Sequence, residues 1–162
     1  MDIMRKVIWV TLAVLVLGYG VFALATLDRR ADDEQIRSLF VQAADAVAKR
    51  DTGGALSLVS ADYKDASGLN YDRLRLLTAQ ALHSEQKFTV DYKLANITIS
   101  GDTATAGVDL TVNGGDPGRT IYKRLLTVTL HKENIRHALI IPTKVWHVTS
   151  IENLGLSPEE GI

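Results

Sequence analysis

The 162-residue chain contains no cysteine, and that absence removes whole chemistries at once. Neither a disulfide framework nor a thiol nucleophile can be built from it. The compartment stays open, because cysteine-free proteins suit oxidising and reducing surroundings alike. A Gly-x-Ser-x-Gly elbow, which would present a serine nucleophile, is also missing. The run Gly114-Gly115-Asp116-Pro117-Gly118 lacks the Lys-Ser/Thr of a phosphate loop and lies between two strand patterns, so it reads as a turn. His83, His131, His137 and His147 have no spacing that would gather three or four donors on one ion, so neither a metal nor a cofactor is expected. Charge of one sign is lacking too: 18 basic against 19 acidic side chains give a net charge of −1. Phosphate backbones demand a concentrated basic surface, so nucleic acid is not an expected partner.

What is present begins with a long apolar run. From Val7 to Leu27 there is no charged side chain. At about 1.5 Å per helical residue this stretch reaches roughly 30 Å, the thickness of a bilayer's hydrocarbon core. A helix satisfies its own backbone hydrogen bonds, so such a segment can cross lipid without exposing unpaired amides. A cleaved secretory signal is the rival reading, with Arg5 and Lys6 as its positive end and Ala23-Leu24-Ala25 as the small-x-small site. The apolar run exceeds the ~7–15 residues of a signal's core, which favours a retained anchor. Arg5 and Lys6 before the segment are balanced by Arg29 and Arg30 after it. The six-residue tail resembles that of a signal anchor, which puts the C-terminal part outside the cytoplasm. The expected organisation is a tail (residues 1–6), a transmembrane helix (7–27) touching membrane lipid, and a soluble domain (28–162). The expected location is a cell inner membrane, with that domain on the periplasmic side.

Setting aside Arg5, Lys6 and Asp2 leaves 16 basic and 18 acidic side chains in the remaining ~135 residues, the commonest size of a single domain. No repeat, low-complexity tract or Pro/Gly linker divides them. Asp32 or Asp33 is placed to cap a helix carrying Ile36, Phe40, Ala43, Ala44 and Val47 at helical spacing. Asp51 and Thr52 open a short second helix with Ala55, Leu56, Leu58 and Val59. Asn70 caps a third, with Leu74, Leu77, Ala81 and Leu82 as its stripe. From Phe88 the apolar period becomes two. Strand patterns run through Phe88–Leu94, Ala104–Val112, Ile121–Leu130 and Val145–Ile151, the first two joined by a turn at Ser100-Gly101-Asp102. Helices followed by a strand meander predict an α+β domain with helices on one face of an antiparallel sheet.

An opening amphipathic helix ending in AVAKRDTGGALSLVSADYKD, a third helix, and four strands ending in VWHVTSIE resemble the nuclear transport factor 2-like family. That family shares an α+β cone with steroid isomerases and polyketide cyclases. The resemblance covers roughly Asp32 to Asn153 and implies three helices packed on a curved four-stranded antiparallel sheet. It departs at residues 133–143 (ENIRHALIIPT), where such domains often have a tight hairpin. The cone implies a pocket in which a carboxylate or histidine moves a proton beside a carbonyl. Tyr63, Asp65, Tyr122 and Trp146 are the candidate pocket residues, with Asp91, Asp109 and His147 as further acids and bases. Simpler roles are available to each. Tyr63 suits a core tyrosine bonded to a backbone group, Asp65 a loop cap, Asp91 and Asp109 the outer sheet face, and Trp146 the core. No catalytic pair is forced to converge.

The unexplained feature is the apolar cluster near the departure. Arg136, Leu139, Ile140, Ile141 and Pro142 form a candidate interface, either for a partner or against the domain's own sheet. The reading is a non-catalytic interaction module, accessory to a larger membrane complex. One span followed by such a domain is similar in architecture to the scaffold component of type IV secretion systems and to proteins accompanying bacterial lipid importers. The alternative is a tethered small-molecule-binding or isomerase-like enzyme.

Overall fold

The computed structural model describes residues 15, 16, 18, 19, 22, 30–84, 88–114, 119–137 and 141–155. The chain divides into two compact units: Ala31–Glu133 with Val145–Ile162, and Met1–Arg30 with Asn134–Lys144. In the smaller unit Leu15, Val16, Gly18, Tyr19 and Phe22 are helical, with Leu15, Val16 and Phe22 each more than 60% exposed. Among the described residues no helix is long and apolar enough to cross a membrane. Apart from those five residues, the expected span Val7–Leu27 lies outside the described residues.

The larger unit opens with three helices: α1 (Asp32–Ala48), α2 (Thr52–Leu56) and α3 (Tyr71–His83). Two of the three expected caps form. Asp51 Oδ1 accepts the Gly54 amide at 2.9 Å, and Asn70 Oδ1 accepts that of Arg73 at 3.0 Å, each satisfying a first-turn donor. The cap on α1 differs. Its N-cap is Ala31 with no side-chain hydrogen bond, because Asp32 and Asp33 lie inside the first turn. Asp33 reaches forward to Arg37 at 2.9 Å instead. Of the residues the spacing picks on α1, Ile36 is fully buried and Phe40 packs part-buried against the core. The other buried positions are Leu39 and Ala46, each one step along the chain from the expected Phe40 and Val47. On α3 Leu82 is buried but Leu77 is 40% exposed, so only part of its expected stripe faces the core.

Four strands follow: β1 (Phe88–Ser100), β2 (Thr103–Gly114), β3 (Thr120–His137) and β4 (Ile141–Glu152). They form one sheet in the order β1-β2-β3-β4, antiparallel as expected. Ser100 pairs with Thr103 across a tight turn at Gly101, whose φ of +59° suits a residue without Cβ. Ala104, Ala106 and Val108 of β2 with Leu126, Val128 and Leu130 of β3 make the sheet side of the core. Ile36, Leu39, Tyr63, Leu69, Trp146 and Val148 complete it. A clean α+β domain results, helices on one face and alternate side chains on the other. At β4 the outer edge is covered: Val59 bridges Val148 in parallel, with Ser60 N donating to Val148 O at 2.9 Å and Val148 N to Leu58 O at 3.0 Å.

Candidate functional site

Asp65 is the one buried acid among the described residues, with 7% of its surface exposed. It sits in the loop between α2 and α3, where its Oδ1 accepts the amides of Ser67 and Leu69, each at 2.9 Å, and the Ser67 hydroxyl at 2.7 Å. Its backbone amide donates to Leu69 O at 3.1 Å, and Gly68 closes the loop with a φ of +83°. Three donors on one oxygen mean that this atom is committed to holding the turn. Among the described residues, the other oxygen, Oδ2, takes only a long 3.4 Å bond from the Tyr63 hydroxyl. Tyr63 is 2% exposed. Burial, then the neighbouring Asp65 charge, raise its pKa above the ordinary 10.0, partly opposed by a backbone hydrogen bond from Ile151. The phenol therefore stays neutral and acts as a donor.

Beside this acid lies an open cavity of about 460 Å³, between residues 65–67 and residues 151–155, the end of β4 and the chain just after it. Asn153 and Gly155, both lining the cavity, have left-handed backbones (φ +67° and +66°), which turn the chain there. A Cβ on Gly155 would strike the Arg124 guanidinium at 2.5 Å, so this bend packs directly on a cation. Tyr122 reaches the same region from β3: its hydroxyl donates to Leu154 O at 2.8 Å. Burial raises the Tyr122 pKa, and the Arg124 charge partly offsets the rise.

Trp146 belongs elsewhere. It is 2% exposed, and its indole N–H points to Asp32 Oδ1 at 3.4 Å. Lys132 lies 5.1 Å from the ring centroid and grips Asp32 through both oxygens, at 2.7 and 2.9 Å. The Asp32–Lys132–Trp146 group ties the start of α1 to two strands. Tyr63, Asp65 and Tyr122 are thus brought to one end of the domain and Trp146 is not. The Asp32–Lys132 partnership and the cavity wall after Ile151 were missed from sequence. The first joins residues 100 apart, and only the Asn-Leu-Gly turn signal hinted at the second.

No family model matches the chain, and no curated protein matches it in sequence. Solved structures do share its architecture. A domain of unknown function with a cystatin-like fold from Nostoc punctiforme gives a TM-score of 0.57 at 16% identity, covering 76% of each chain. An NTF2-like protein of unknown function from Pseudomonas putida gives 0.51 at 18%, covering 73% of this chain and 82% of its own. A conserved protein from Planctomyces limnophilus gives 0.55 at 16%, covering 76% and 94%. The fold is the nuclear transport factor 2-like, or cystatin-like, cone. Identities this low establish the fold alone, and a cone hosts many functions.

Inside this cone, Tyr63, Ile36, Leu130 and Trp146 fill the space between helices and sheet with apolar bulk. Asp91 is exposed on the outer sheet face, and the register puts Asp109 on that face opposite Lys93. His147 shares it: its Nδ1 lies 3.4 Å from Glu133 Oε2, near enough for an ion pair when protonated but misaligned for a hydrogen bond. Of the candidate interface residues, Arg136 lies in β3, and Ile141 and Pro142 lie in β4. Leu139 and Ile140 lie outside the described residues. The departure from a tight hairpin is thus strand on both sides, since β3 continues to His137 and β4 resumes at Ile141.

Proposed function

We propose that the chain is a single-pass, membrane-anchored, non-catalytic interaction module, an accessory or assembly subunit of a larger membrane protein complex. In this reading residues 7–27 hold it in an inner membrane and the cone lies on the periplasmic side. The observation that carries the non-catalytic part is the state of Asp65. Its Oδ1 is engaged by three donors of its own loop, and the cone behind it is filled. A general base needs a lone pair aimed at a substrate proton. The charge-free stretch from Val7 to Leu27 supports the anchor. Purification in mild detergent tests the assembly role: specific membrane proteins should co-purify with the full chain in fixed ratio, and recovery of the chain alone would count against it.

One observation favours a second reading, a tethered small-molecule-binding protein or isomerase-like enzyme. The open cavity is lined in part by Asp65, whose Oδ2 takes a long bond from the neutral Tyr63 hydroxyl. Asp65→Asn keeps an oxygen for the turn while removing the base. Loss of a measurable reaction in this variant, at unchanged melting temperature, would establish the second reading and overturn the first.

A further inference from the structure

The two edges of the sheet are finished differently. At β4 the segment ending at Lys64 adds three backbone hydrogen bonds, the last from Lys64 N to Thr149 O at 3.1 Å. Among the described residues, no backbone hydrogen bond reaches β1 from outside the sheet. A strand with unpaired amides and carbonyls along one side is a template for another strand. At 13 residues β1 is long for an edge, and its outer-face side chains Thr89, Asp91 and Lys93 are all exposed.

We propose that this edge binds the β1 strand of a second copy of the chain, antiparallel, about a two-fold axis at Tyr92. The charge pattern selects both the occupant and the register. In a symmetric antiparallel pair, directly opposite residues share a face, so the axis must pass through a residue. An axis at residue 91 would set Asp91 against itself, and one at residue 93 would set Lys93 against itself. With the axis at Tyr92, Asp91 of each copy faces Lys93 of the other, and on the inner face Val90 meets Leu94. Within one chain Lys93 already lies opposite Asp109 of β2, so the row Asp109–Lys93 continues into Asp91 of the second copy with its signs alternating. The register shift between Leu94 and Asn96 ends the regular stretch near Ala95, which is also where Thr89 of the second copy would arrive. The product joins two four-stranded sheets edge to edge. This pairing holds or fails independently of the proposed anchor, since it concerns only how the chain meets itself.

The test is a charge swap on the full-length chain in mild detergent, read as dimer dissociation by sedimentation. Opposite charges across a pair stabilise it and like charges do the reverse, and two such pairs change together. Asp91→Lys and Lys93→Asp should each weaken the dimer roughly tenfold, and the double variant should return it to within about threefold of the natural chain. Because the chain has no cysteine, crosslinking gives a second readout. Chains carrying Asp91→Cys mixed with chains carrying Lys93→Cys should form a disulfide, since paired Cα atoms about 4.5–5.5 Å apart fall within disulfide reach. A monomeric natural chain, single variants that associate unchanged, or a mixture that does not crosslink would each overturn the proposal.

Discussion

Tyr63 and Asp65 show how burial sets chemistry one side chain at a time. The phenol is buried against the core and beside a carboxylate, both of which disfavour phenolate. Its folded pKa therefore lies above its unfolded one. The stability this gives is complete below pH 10 and is lost as pH rises further and the unfolded chain ionises. Denaturant midpoints measured from pH 8 to pH 11 should fall for the natural chain, and the fall should be shallower in Tyr63→Phe. Equal slopes would mean that Tyr63 is not the titrating group. Asp65 was readable from the Asp-Ala-Ser-Gly sequence as a turn former, because Asp and Ser side chains mimic backbone in such turns. Its closeness to Tyr63 was harder to anticipate, since that depends on how the loop lies against the core.

At the scale of elements, local chemistry was legible and long-range pairing was not. Asp51 and Asn70 could be recognised as caps because a short polar side chain just ahead of an apolar stripe has one common use. Period-two alternation likewise placed all four strands, though β1, β3 and β4 each run several residues further than the apolar pattern does. Polar positions such as Thr98 and Glu133 continue a ladder that hydrophobicity alone cannot trace. Asp32 misled for a different reason. The sequence offers it as a cap, whereas the fold brings Lys132 and Trp146 to it from far along the chain. Substitutions should separate these roles. Asp51→Ala should cost about 1 kcal/mol through its unsatisfied Gly54 amide, while Asp33→Ala, which breaks only an exposed pair, should cost less than about 0.5 kcal/mol. Denaturant unfolding of the two variants side by side checks this ordering, and equal costs would contradict the cap assignment.

For the whole molecule, the central claim is that the cone works at a membrane because residues 7–27 hold it there. Replacing Leu15 with Arg puts a charge near mid-bilayer, which costs about 2.5–3.5 kcal/mol on insertion scales, so less of the chain should reach the membrane fraction. The most direct measurement is the intact mass of the natural protein recovered from membranes washed at alkaline pH. The account predicts the full chain of 17.7 kDa, found in the washed membrane pellet. A shorter chain beginning at Thr26 and released into the soluble fraction would contradict it.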